Sequence, residues 1–552
     1  MDIPDRDGDT PLSRLLSRFA EGAVPRRAFL RTATALGLSA SAAGRFAGIA
    51  AASAPSPARR GGTLRLQIPI WDISHPATFE WFNLSQMVSA VCDWACVLGS
   101  DGMLHGGLLE SWSPSPDLRS WTFRVRPGVT WRDGRRLIAE DIVWNIRRWL
   151  DPAVGSPYIG AVASYLTRQV DGHVVPWDAN WIEAPDDLTV RLNLLRPHVT
   201  VAEDLYNQCT LILDPHEDGV FAAGSNGTGP FDMTTLLVGE RSVVRARAGS
   251  WRGTPHLDEV HFIDLGDDRG SWAAAMVSDQ VDGLYELGFD QKILLDQVPG
   301  VKVYAAPSAQ CGVARMQCDK KPFDDARVRR AMRMAVDPQR VLALAQGGAG
   351  MPGDHHHVCP IQPDYAPVPL VTWDPAAARR LLAEAGHEKG FETTLCCIDD
   401  AGPIMKSTTV MVEMWRDIGV TVNIQTYPQE LYAEHWKEFP FAFTMWEHRP
   451  QGIMTLALGY RTGASWNESH YANPAFDLLV DQGMAEPDPV ARRHITAQLE
   501  EIMHQDGPLV QATWVPHLTS FSIRVRNYRP HPMGYIAIEE LSLDEPAGTT
   551  GG

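Results

Sequence analysis

The chain has little that would anchor it in a membrane. Its uncharged apolar stretch near the N-terminus, Thr32 to Ala43, falls well short of the roughly 20 apolar residues a membrane-spanning helix needs. Basic residues are in the minority, 49 Lys+Arg against 67 Asp+Glu, for a formal net charge of −18. That sign argues against nucleic acid and anionic membrane surfaces as partners, since both are bound by basic faces. The local signatures of common enzymes are missing as well: no Gly-x-Ser-x-Gly elbow, no HExxH, no Walker loop and no GxGxxG behind a strand. A hydrolase with a discontinuous constellation is left as a distant alternative. The eight cysteines, at 92, 96, 209, 311, 318, 359, 396 and 397, form no paired CxxC set with zinc spacing. A chain of this size needs no disulfides to hold a core, and their pairing stays open. No internal repeat of about 20 to 50 residues is present, which excludes solenoids and propellers.

What the chain does have begins with a leader. In "VPRRAFLRTATALGLSASAAG" (24–44) a charged stretch ending at Arg31 precedes the apolar core, and the small-residue segment "AGIAAASA" offers Ala-x-Ala cleavage near Ala52. "RRAFLR" is similar to the twin-arginine type of signal, which carries proteins already folded. No cysteine lies near the cleavage region to take a lipid. Residues 1–52 are therefore expected to be a twin-arginine signal peptide, and the product a soluble, unlipidated periplasmic monomer.

The remaining stretch of about 500 residues is enough for two to four domains. "GGTLRLQIPI" alternates Leu64, Leu66 and Ile68 with polar residues, the period of a strand. "RDGRRLIAEDIVWNIRRWL" places Ile142, Ile146 and Trp149 on one helical stripe. Past residue 300 helices and strands alternate. "WDPAAARRLLAEAG" has Asp374 as N-cap, Pro375 at the first helical position and Gly386 beyond the end. "MVEMWRDIGVTVNIQT" runs a helix with Met411, Met414, Trp415 and Ile418 inward into a strand of Val420, Val422 and Ile424. Such alternation gives an α/β sheet layered with helices. The tail, 546–552, reads as disordered.

Ordered motifs spread over most of the chain resemble one family. "RRGGTLRLQI" (59–68), "WTFRVRPGVTWRDGRRLIAEDIVWNI" (121–146), "NGTGPFDM" (226–233), "GSWRGTPHLDEVHF" (249–262), "VSDQVDGL" (277–284), "KKPFDDARVRRAMRMAVDPQRVL" (320–342) and "SHYANPAFDLLVDQG" (469–483) follow in sequence. "DGPLVQATWVP" (506–516) completes the series. Together they are similar to the extracytoplasmic solute-binding proteins of ABC importers, the oligopeptide/dipeptide/nickel family. The resemblance implies a periplasmic-binding-protein-like α/β fold of two lobes with an extra subdomain and a ligand cleft between the lobes. It implies a small solute or short peptide as ligand and ABC permease subunits as partners, with no cofactor and no enzymatic activity. On this reading 61–99, 225–300 and 515–545 form lobe I, 100–224 its appended subdomain and 301–514 lobe II. Gly227 and Gly229 relax the backbone where the chain crosses between lobes.

In peptide-binding relatives a Trp is followed three residues later by an Asp that pairs with the ligand's amino terminus. Here "FTMWEHRP" puts Trp446 at the Trp and Arg449 in the place of the acid. Arginine offers a planar fork of donors matched to carboxylate or phosphate, so an anionic or zwitterionic solute is expected. Its alternative is a salt bridge from Arg449 to the protein's own carboxylates. Glu447 and His448 are neighbours able to take over the ammonium role. Trp81 and Phe82 follow the first strand as candidate cleft walls, with core packing as the competing role. Trp466 and Asn467 lie in an irregular Gly/Ser-flanked loop suited to touching ligand. In "GDHHHVCP" an extended chain would put His355, His357 and Cys359 on one face, as imidazole and thiolate ligands for a metal. The alternative function is thus binding of a metal chelate, nickel or haem by the same fold.

Overall fold

A computed structural model describes residues 60–399 and 402–544. The expected leader (1–52) and tail (546–552) lie outside the described residues. Among the described residues no helix is long and apolar enough to cross a membrane.

One mixed sheet runs through the molecule. Its strands lie side by side in the order Phe231–Leu237, Arg241–Ala246, Glu259–Ile263, Thr63–Gln67, Gly283–Leu284, Thr513–Ser522, Val301–Met316, Phe441–Trp446, Phe391–Ile398 and Val420–Tyr427. The opening strand is parallel to both neighbours, with Leu64 opposite Val260 and Leu66 opposite both Phe262 and Gly283. Its alternating Leu64, Leu66 and Ile68 are fully buried. The second parallel pair joins Phe391–Ile398 to Val420–Tyr427 over eight residues. Helix Pro403–Asp417 bridges that pair and buries Met411, Met414 and Trp415.

The apolar cores are distributed along this sheet. The largest gathers residues between Leu64 and Phe262 with Phe521 to Leu541. It includes a small antiparallel sheet, Leu109–Pro114, Ser120–Val125, Thr189–Asn193 and Ile182–Asp186, covered by helix Ala139–Trp149. Ile142, Ile146 and Trp149 of that helix are buried as the stripe requires. Two other cores are built from residues between Ala309 and Trp514. The long antiparallel strands Val301–Met316 and Thr513–Ser522 pass from one set to the other, and their register shifts between Ala306 and Gln310.

Helix starts follow the local sequence. Asp325 accepts from Arg327 N, and Asp374 accepts from Ala377 N with Pro375 at the first position. Gly227 and Gly229 are required for a different reason from the one expected. A β-carbon on Gly227 would lie 2.0 Å from the Val91 carbonyl oxygen, and one on Gly229 would lie 2.6 Å from that of Ala90. Close backbone approach, not turn conformation, demands glycine there. All of the cysteines except Cys318 are buried.

Candidate functional site

Strand Phe441–Trp446 lies antiparallel to Val301–Met316, with Trp446 opposite Cys311. Beyond Trp446 the chain leaves the sheet, and the next three side chains take different directions. His448 turns into the protein, where its Nδ1 accepts from Ala309 N at 2.9 Å. Burial, with help from His531 and Arg449, pushes its pKa down to about 3, so it is a neutral structural group and not the ammonium partner considered for it. Glu447 and Arg449, one residue to either side, fall on the opposite face of an extended segment.

Glu447 is exposed to solvent. Loss of hydration is the largest cause raising its pKa to about 7, repulsion from Glu286 adds to it, and the Arg449 charge opposes both. Arg449, two residues on, is half-buried. Its guanidinium carbon stands 5.4 Å from the Trp466 ring centroid, a cation–π arrangement. Its Nε is buried without a hydrogen-bond partner. Among the described residues no carboxylate reaches ion-pair distance of it; Asp204 and Glu447 act on it only through their fields.

Trp446, expected from the sequence to touch ligand, is instead buried in an apolar core and supports the half-buried Trp466 from behind. Trp446 meets Trp466 edge-on at 5.7 Å and His357 at 5.1 Å. Its indole N–H donates to Glu468 Oε1 at 3.1 Å, while Glu468 Oε2 accepts from Arg315 Nε and Thr444 Oγ1, each at 2.7 Å. Arg315 also donates to the carbonyls of Phe439 and Trp436. Across the cleft Gln451 Nε2 donates to Glu203, and Ser465 Oγ to the Gly160 carbonyl at 3.4 Å. Trp466 itself packs beside Gly160.

The family model for "Bacterial extracellular solute-binding proteins, family 5 Middle" matches residues 103–467. The chain belongs to this family. The binding protein is 28% identical over 476 residues to the dipeptide-binding protein of Escherichia coli, covering 79% of this chain and 86% of that one. It is 26% identical over 485 residues to heme-binding protein A of Haemophilus influenzae, covering 80% and 84%. The solved structure of the Escherichia coli murein tripeptide binding protein superimposes with a TM-score of 0.75 at 21% identity, over 89% of this chain and all of that one.

Several residues of the binding protein singled out by sequence have other duties. Phe82 stacks on Trp94 at 5.7 Å and packs against Tyr206, so it is core. Trp81, half-buried, precedes helix Phe82–Val88 and makes no ring contact with the Trp446 cluster among the described residues. Asn467 uses its whole amide on its own loop, donating to the carbonyls of Arg461 and Tyr471 and accepting from Ser469 Oγ and Tyr471 N.

The expected metal face does not form. His355 and His357 have positive φ (59° and 64°), so the chain is not extended and the period-two argument fails. His355 Nδ1 accepts from Gln511 N, His357 Nδ1 pairs with Tyr460 OH, and the Cys359 thiol points to the Ser308 carbonyl. Among the described residues no group of three or more His, Cys, Asp or Glu is placed to hold a metal ion.

Three residues that no local pattern marks act on Glu447 or on one another. Glu286 and Tyr285 act electrostatically on or with Glu447, and His517, bonded to the Tyr285 carbonyl, feels Glu286. Nothing local marks them, because the contacts span more than 150 residues. A void of about 10 Å³ between helices Pro338–Gln346 and Pro403–Asp417 and the sheet is separate from this cleft. It has room for about one water and no solute.

Proposed function

We propose that this family 5 solute-binding protein captures a small solute bearing a carboxylate or another anionic group, and delivers it to ABC permease subunits in the membrane. The observation that carries the reading is Arg449: a guanidinium on the cleft wall, stacked on Trp466 and without an ion-pair partner among the described residues. Enclosing such a charge is costly unless an anion meets it. Arg449 binds the anion, Trp466 forms the apolar wall with the buried Trp446 packed behind it, and closure of the lobes expels water so that the pair strengthens. Glu447, two residues away and free of any ion pair among the described residues, is positioned to take a cationic group of the same solute, which makes a zwitterion the best fit.

Export by the twin-arginine route with cleavage near Ala52 belongs to the same proposal, supported by the paired arginines and the small-residue segment. The deciding experiment is mass spectrometry of the compound that co-purifies, then calorimetry with that compound on wild type and Arg449→Ala. A large loss is expected in the variant. Equal binding of an anionic compound to both, or tight binding of free peptides but not of acids, would return the site to the ordinary peptide-binding reading.

A further inference from the structure

We propose that the histidine-rich loop and the segment after it, residues 355–364, serve as a brace that sets the position of Arg449, with Gln362 and Asp364 as its positioning residues. The inference rests on the reading of Arg449 as the ligand's anion contact. The stretch that carries Arg449 runs from the end of strand Phe441–Trp446 to helix Gly452–Gly459; His448 and Gln451 tie it to Ala309 and Glu203, but neither bond holds the Arg449 peptide itself. The helix begins at Gln451 without a side-chain cap, which leaves its first amides unsatisfied.

Asp364 supplies the cap from 88 residues away. Its Oδ1 accepts from Gly452 N and its Oδ2 from Ile453 N, both at 2.8 Å, and the carboxylate is fully buried. Gln362 makes the other tie. Its Oε1 accepts from Cys359 N and its Nε2 donates to the carbonyl oxygen of Arg449, both at 2.7 Å. At the far end of the helix Tyr460 OH pairs with His357 Nδ1 at 2.7 Å. Gly452 packs so closely on Val358 that a β-carbon would lie 2.4 Å from Val358 Cγ1. The brace therefore grips the Arg449 peptide, the start of the following helix and its end. A shift of the Arg449 peptide moves the guanidinium off the Trp466 face and out of register with a ligand anion.

The test uses the exported protein with Gln362→Met, which keeps the length and removes both polar ends. Its crystal structure needs no ligand and is expected to show Arg449 displaced from Trp466 while the Trp446–Glu468 bond persists. Calorimetry with glutathione as probe, which carries two carboxylates and one ammonium, is expected to give about tenfold weaker binding than wild type, the scale of one lost buried hydrogen bond. In an Arg449→Ala background the same change is expected to have no further effect. An unmoved Arg449–Trp466 stack, or additive losses in the double variant, overturns the brace. If Arg449→Ala binds glutathione as wild type does, or if wild type does not bind it, the ligand reading takes the blow and the crystal geometry alone judges the brace. Should Gln362→Met not fold, Asp364→Asn, which keeps the volume and loses one of the two N–H contacts, carries the same expectations.

Discussion

The guanidinium of Arg449 lies over the ring of Trp466, 5.4 Å from its centroid, although the two residues are separated by a helix and an irregular loop. The ring holds the charge in one place without neutralising it, so its hydrogen-bonding edge stays available. An ion pair with a protein carboxylate would have spent that edge.

The ligand should depend on this arginine. Replacing it by alanine is expected to weaken an anionic solute by about 2 to 5 kcal/mol, the usual cost of truncating one partner of an enclosed charge pair. Arg449→Lys should recover only part, because lysine lacks the planar fork and stacks less well. Calorimetry on the co-purified compound measures both, and full recovery by lysine would argue against bidentate recognition.

The buried pair behind the aromatic wall should matter for stability. Arg315 and Glu468 are almost wholly buried, and removing one partner leaves an uncompensated charge. Arg315→Leu is expected to cost about 3 to 5 kcal/mol in urea unfolding, whereas Arg315→Leu combined with Glu468→Leu should recover much of it. A single variant as stable as wild type would mean that water reaches Glu468 in its place.

Stability should fall on both sides of mildly acidic pH. His357 and His448 have folded pKa values pushed to about 3, and His504 and His531 to about 4, all chiefly by burial, against an ordinary 6.5. Their contribution is complete above 6.5 and is lost as pH falls through the folded values, because the unfolded chain binds protons first. Glu203 is raised to about 7 and Glu500 to about 9 from 4.5, again chiefly by burial. Their contribution is present below 4.5 and is lost as pH rises through those values. Thermal melts across the range should therefore peak between about pH 4.5 and 6.5. A melting temperature flat from pH 5 to 9 would contradict the raised carboxyls.

The exported protein is expected to begin near Ser53 with no lipid attached. Intact-mass measurement of protein recovered from the periplasm checks this directly. A mass that includes residues 1–52, or an added diacylglycerol, would refute it, and replacing Arg26 and Arg27 by lysine should stop export by the twin-arginine route.

The proposed lobes, 61–300 with 515–545 against 301–514, should move as two rigid bodies. Crystal structures with and without solute are expected to differ by rotation about strands Val301–Met316 and Thr513–Ser522, breaking the Gln451–Glu203 contact on opening. Movement of 100–224 with the second lobe would overturn the assignment.

The sequence by itself determined the fold class and the order of the elements, because strand alternation, helical stripes and capping residues such as Asp325 and Asp374 are local and act within a few residues. It also singled out Arg449, since one substitution in a recurring motif shows without any structure. It misjudged what depends on direction. Phe82 and Trp446 are both aromatic residues at element ends that read as ligand contacts, yet both are buried in apolar cores. His355, His357 and Cys359 read as a metal face until positive φ at the two histidines broke the extended geometry it needs. Tertiary structure alone decided that Glu468 holds Trp446, that Asp364 caps a helix 88 residues on, and that the Glu286 charge acts on Glu447. The physical reason is the same in each case: a side chain's chemistry is written in the sequence, but its partner and its exposure are set by segments that meet only when the sheet assembles.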